Sequence, residues 1–329
     1  MAVSLAGCEG LSTSSTYESA QNAYDQGQYR IANAHLNDVL AKGGVEDRVR
    51  KLQLDLMLKY GDGNRAVAAL GQLSKNALSE QERRLALAHA LLLQGSAQRV
   101  IKLYDPILLD DHSEQDLRML LWALVQLNDE PMFEKRLDYA LGRYPDSAHI
   151  NALAANRLYD LKKPSEAGAY AVTAIINGKD NLEARLVAGR KAIFDGNLET
   201  AIEHYKKAHT INPLMPLPLA NVAGLQLDLG QVDAAADTLK IAVDNHSEYP
   251  FLQWQLARYR VAIGNFQGAR EAKDRAVRAF GNNAEFILLT AQIEAGLGNK
   301  ALALDNYRRF VREAGELPQV MAKIAELEG

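Results

Sequence analysis

GNLETAIEHYKKAHTINP, Gly196 to Pro213, is the stretch that decides the fold. Leu198, Ala201, Ile202, Tyr205 and Ala208 follow the i, i+3, i+4, i+7 stripe of a helix, and Pro213 stops it because it has no amide to continue the ladder. The period-2 alternation of a strand is absent. Gly196 stands just before this helix, where a residue free to take positive φ ends the helix that precedes it. The stretch therefore reads as the turn and second helix of a helical hairpin.

The hairpin repeats. Gly27, Gly61, Gly95, Asn128, Lys162, Gly196, Gly230, Gly264 and Gly298 lie 34 residues apart at every step but one, which is 33. Five residues after each comes Ala32, Ala66, Val100, Phe133, Ala167, Ala201, Ala235, Ala269 and Ala303. Seven residues before each lies Ala20, Leu54, Ala88, Leu121, Ala155, Gly189, Ala223, Ala257 and Ala291, again mostly small. Small residues at both places let two helix axes approach closely. Nine units share this frame, with departures in the third (Val100), the fourth (Asn128 and Phe133) and the fifth (Lys162 with Pro164). After the ninth, LPQVMAKIAELEG offers one more amphipathic helix, with Val320, Ile324 and Leu327 on one stripe, as the cap such arrays need.

A 34-residue unit with a small residue, then Gly, then Ala, then an aromatic, then Pro resembles the tetratricopeptide repeat, TPR. The resemblance implies an all-α, right-handed α-solenoid of about nine hairpins over residues 13–315, capped by 316–329, with residues 1–12 as lipobox and tether. It also implies a concave groove lined by the first helices, where other proteins or peptide segments bind.

Six residues before each turn, a position that faces ligands in TPR proteins, stand Gln21, Asp55, His89, Trp122, Asn156, Arg190, Gly224, Arg258 and Gln292. This column is polar where its neighbour is small and apolar, as one wet face of a buried helix should be. Arg118, Leu186 and Trp254 lie four residues earlier in their units, and Tyr159 and Phe194 lie near helix ends. Arg118, Trp122, Asn156, Tyr159, Arg190, Phe194, Asn221, Trp254 and Arg258 are the expected peptide-binding residues, since Trp, Tyr and Arg most often anchor partners. The alternative is that the tryptophans pack between repeats and the arginines are solvated. Asn156 and Asn221 occupy places like those of the carboxylate clamp of chaperone-binding TPR domains, but no lysine accompanies them, so an acidic C-terminal tail is not the expected ligand.

Composition narrows the function. The chain has 329 residues, 48% hydrophobic and 24% charged, and a net charge of −4. That balance argues against a nucleic-acid binder. One cysteine excludes an intramolecular disulfide and a cysteine-based zinc site. The seven histidines form no HExxH pair, and no GxGxxG, GxxxxGK[ST] or GxSxG occurs. GDGNRA at 61–66 lacks the alternating ligands and closing Glu of a calcium loop and reads as the turn of the second unit, while Asp110-Asp111 reads as a solvated loop. No catalytic set, metal or cofactor is expected.

Leu5-Ala6-Gly7-Cys8 matches a lipoprotein processing site, although MAVSLAG lacks the basic and long apolar regions of a signal. EGLSTSSTYES then supplies a short polar tether. A gene start lying upstream reconciles the two, and makes Cys8 the lipidated residue of an outer-membrane protein facing the periplasm, since Glu9 follows it where inner-membrane retention favours Asp. This layout, with AQNAYDQGQYRIA as first unit, is similar to TPR lipoproteins of pilus-assembly, exopolysaccharide-export and PEP-CTERM systems. The resemblance implies a non-catalytic scaffold for an envelope machine, held at the membrane by its lipid alone. The alternative is a cytoplasmic TPR adaptor, co-chaperone-like, with Cys8 incidental.

Overall fold

The computed structural model describes residues 16–105 and 111–329, so Cys8, its tether and Asp110 lie outside the described residues. Among the described residues the regular structure is nineteen α-helices and no strand. The chain divides into two compact units, Met1–Ala140 and Leu141–Gly329.

In the first unit the helices pair as α1 (Tyr17–Asp25) with α2 (Tyr29–Ala41), and α3 (Asp47–Lys59) with α4 (Gly63–Gln72). They continue with α5 (Glu80–Leu93), α6 (Ala97–Tyr104), α7 (Glu114–Leu127) and α8 (Glu130–Arg143). Serines start two of the first helices. Ser79 and Ser113 each accept the amide of the third helical residue, and Glu82 and Asp116 accept the serine amide in return.

The second unit pairs α9 (Ala148–Asp160) with α10 (Pro164–Asn177), α11 (Leu182–Phe194) with α12 (Leu198–Ile211), and α13 (Pro216–Asp228) with α14 (Val232–His246). Then come α15 (Pro250–Ala262) with α16 (Phe266–Phe280), and α17 (Ala284–Gly296) with α18 (Lys300–Ala314). The last helix, α19 (Pro318–Glu328), lays Val320, Ile324 and Leu327 on Tyr307 and Phe310 of α18 and Ile287 of α17, covering the apolar face that the ninth hairpin would otherwise leave wet.

All nine turn positions have positive φ, between 52° and 78°. In each, the turn residue's amide reaches back three residues and the next amide five; Gly196 N donates to Ile193 O at 3.0 Å and Asn197 N to Ala192 O at 2.8 Å. This double bond satisfies the last carbonyls of the first helix and requires the left-handed residue. Asn128 and Lys162 adopt it too, so the fourth and fifth units keep the frame without glycine. Pro164 fits because it is the first residue of α10, where a missing amide costs no hydrogen bond.

The two small columns are buried throughout. Ala20, Ala88, Ala155, Ala223, Ala257 and Ala291 on first helices, and Ala32, Ala66, Ala167, Ala201, Ala235, Ala269 and Ala303 on second helices, are all 0% exposed. Only in the fourth hairpin are both positions large, Leu121 and Phe133, and it is within this hairpin's second helix that the chain divides.

Candidate functional site

In the second unit the first helices α9, α11, α13 and α15 line a common cavity of about 570 Å³. Asn156 and Asp160 reach it from α9, Arg190 from α11 and Asn221 from α13, so three of the nine sequence-selected residues meet here. Its apolar wall is Leu186, Leu217, Tyr249, Phe251 and Phe280.

Arg190 organises the polar side. Its Nη2 donates to Asp160 Oδ1 at 2.8 Å, and its Nη1 to Asn156 Oδ1 at 3.2 Å and to the Asn156 carbonyl at 3.3 Å. The guanidinium lies over the Tyr159 ring, 5.1 Å from its centroid. Tyr159 is therefore a shelf for Arg190, and burial raises its phenol pKa. Across the cavity Asn221 Nδ2 donates to Leu217 O at 2.9 Å. Burial pushes the Tyr205 phenol, at the base, up to about 12.

Arg258 repeats the arrangement one hairpin pair further on, with Nη2 on Asp228 and Nη1 on Gln255 Oε1 at 2.9 Å. Both arginines are about one-third exposed and already hold acceptors. Both tie neighbouring first helices. The sequence held a signal for this that the column reading missed. Arginine occurs six residues before a turn only in the sixth and eighth units, and in both the preceding unit carries Asp two residues before its turn, Asp160 and Asp228; Asp25 of the first unit stands at the same place but is followed by Asp55, not arginine.

Trp254 corrects the groove expectation. It is 7% exposed and enclosed by Phe280, Phe286 and Phe251, with ring centroids 4.9, 5.7 and 5.8 Å away. Repeat 8 places its large indole where repeats 5 and 7 have the buried Ala152 and Ala220, and the aromatics of α16 and α17 fill around it. It is a core residue. Phe194, by contrast, is 55% exposed at the end of α11.

Arg118 and Trp122 belong to the first unit. Arg118 lines a cavity of about 480 Å³ with Lys51, Asp55, Glu82 and His89. Trp122 is half-buried against His89, with ring centroids 5.7 Å apart and planes tilted by 53°, so two members of the polar column touch each other. Burial holds the Asp55 carboxyl above its usual range, with Lys59 and Lys51 opposing.

The GDGNRA stretch is a turn: Gly61 has φ 72° and Asp62 Oδ1 accepts the Arg65 amide at 3.0 Å, capping α4. Among the described residues no group of three or more His, Cys, Asp or Glu is placed to hold a metal ion, and no helix is long and apolar enough to cross a membrane.

The tetratricopeptide repeat family matches residues 255–318, the eighth and ninth hairpins. These two hairpins are tetratricopeptide repeats, and the other seven share their frame. The TPR chain superposes on a chain of the APC/C hetero-tetramer Cut9-Hcn1 with a TM-score of 0.70 at 11% identity, covering 91% of this chain and 59% of that one. It superposes on Pseudomonas aeruginosa pilF with a TM-score of 0.51 at 16% identity, covering 65% of this chain and 96% of that one. A curated relative, the heat-shock cognate co-chaperone sgt12 of Aspergillus fumigatus, is 26% identical over 213 residues, 62% of this chain and 60% of that protein. The chain thus spans less than two thirds of the Cut9-Hcn1 chain and of sgt12, and nearly all of pilF. The architecture is that of a TPR solenoid.

Proposed function

We propose that this TPR protein is a non-catalytic scaffold of the bacterial envelope, anchored by lipid at Cys8 to the periplasmic face of the outer membrane, which helps assemble a pilus, secretion or exopolysaccharide-export machine. It binds proteins or peptide segments in its grooves, and neither a nucleic acid nor a cofactor. The observation that carries the binding half is the cavity where Asn156, Arg190 and Asn221 face an aromatic wall. A concave, mostly apolar site with a few converging polar groups is the usual form of a ligand site. The envelope half is supported by the Leu5-Ala6-Gly7-Cys8 lipobox and by the likeness to a pilus protein.

Labelled palmitate supplied to cells expressing the full-length gene product tests the anchor. Incorporation should occur and should vanish with Cys8→Ser. No incorporation favours the second reading, a cytoplasmic adaptor, which the co-chaperone relative supports.

The groove is tested by capture from an envelope fraction. Ile193 lines the cavity and is 39% exposed, so Ile193→Arg obstructs the site without disturbing the core. A partner held by the native chain should be lost by this variant at an unchanged melting temperature. Retained capture places the binding surface elsewhere.

A further inference from the structure

Building on the groove reading above, we propose that the second-unit cavity takes an uncharged, extended peptide segment. Its backbone is held by Asn156 and Asn221, and one aromatic or large aliphatic side chain is seated against Phe251 and Phe280.

The charges argue first. Asp160 and Arg190 are the charged residues lining the cavity, and they are paired with each other at 2.8 Å. Arg190 Nη1 is committed to Asn156 as well. A charged ligand entering here would lose hydration and find no counter-charge that is not already satisfied, whereas an uncharged segment meets no such cost. The complementary occupant of an internally neutralised site is neutral.

The amides argue second. An asparagine side chain has one acceptor and a two-proton donor, and a neighbour fixes which way round it sits. Asn156 Oδ1 accepts from Arg190, so its nitrogen is the group left to donate to a ligand. Asn221 Nδ2 donates to Leu217 O, so its oxygen is left to accept. One donor on α9 and one acceptor on α13, with α11 between them, match the carbonyl and amide that an extended peptide offers at successive points along its edge. A helical occupant uses those groups internally and would leave both asparagines without a role.

Size argues third. About 570 Å³ lies in the volume range of ligand sites, and the wall residues supply the apolar surface for a large side chain.

The test is a phage-display selection of random nonapeptides on the immobilised full chain. The enriched sequences should lack charge at their central positions and share an aromatic or large aliphatic residue. The synthetic consensus peptide, read by fluorescence anisotropy, should bind with little change between about 50 and 300 mM salt. Asn156→Asp keeps the acceptor for Arg190 but removes the donor, and Asn221→Ala removes the acceptor. Each should weaken the peptide about tenfold, equal to about 1.4 kcal/mol, at an unchanged melting temperature.

An acidic or basic consensus with strong salt dependence overturns the proposal. So does a peptide insensitive to both asparagine variants, or a selection that enriches nothing. Ile193→Arg separates the levels. If it still abolishes partner capture, only the ligand chemistry is wrong; if capture survives it, the groove reading falls too.

Discussion

Arg190 on α11 and Asp160 on α9 join first helices of adjacent hairpins through a 2.8 Å ion pair, and Arg258 on α15 and Asp228 on α13 do the same two hairpins later. In each case the partners are 30 residues apart. The geometry of one repeat is thereby copied, and the groove face is fixed by side chains as well as by packing.

The Arg190–Asp160 pair is partly exposed, at 32% and 53%, so water and salt weaken it. A double-mutant cycle with Arg190→Ala and Asp160→Ala should give a coupling of about 0.5–1 kcal/mol at low salt, read from urea midpoints. Raising the ionic strength should shrink it. Coupling unchanged by salt would mean that the hydrogen bond, and not the net charge, carries the pair.

Gly189 and Gly168 should respond oppositely to the same substitution. A Cβ at Gly189 would lie 2.6–2.8 Å from three atoms of the Tyr205 ring, which is itself only 3% exposed. Overpacking should outweigh the better helix propensity of alanine, and Gly189→Ala should cost about 1–2 kcal/mol. At Gly168, within α10, a Cβ meets nothing within 4 Å, so Gly168→Ala should stabilise by about 0.5–1 kcal/mol. Thermal melts of the two variants check both signs.

Lys162 holds φ 58° at the fifth turn, where the other turns have glycine or, once, asparagine. A left-handed residue with a Cβ costs about 1–2 kcal/mol. Lys162→Gly should recover part of this, less the extra freedom glycine gives the unfolded chain, and raise the melting temperature. A lower one would show that the lysine stem contributes more than its backbone costs.

Asp116, 0% exposed, faces Arg84 at 3.3 Å. Burial pushes its carboxyl up, but the Arg84 guanidinium and the Ser113 hydroxyl and amide outweigh it and leave the pKa below the usual carboxylate value. A depressed folded pKa adds stability that is fully present above the unfolded value of about 3.9 and lost as pH falls through the folded one. Urea midpoints should therefore drop on acidification below about pH 4, and less steeply in Asp116→Asn. At neutral pH the same variant should cost about 3 kcal/mol, because Arg84 is left mostly buried without its partner. An acid limb unchanged by the substitution would assign the acid sensitivity to other carboxylates.

What the sequence determined by itself was everything that repeats. The 34-residue turn column, the two small columns and the Val320, Ile324 and Leu327 stripe predicted nine hairpins and a final helix, because local hydrogen bonding and close helix approach restrict the same position in every unit. Even Asn128 and Lys162 kept the turn, since the two backbone bonds across it depend on the left-handed conformation and not on glycine itself. What only the tertiary structure decided was everything that differs between units. Trp254 went to the core and Phe194 to the surface. Arg190 and Arg258 were consumed by aspartates of the preceding repeat. Phe251 and Phe280, in neither of the columns read as ligand-facing, came to wall the cavity. A column gives the direction in which a backbone points a side chain; which neighbour meets it there depends on residues some 30 positions away, brought close only when the repeats stack.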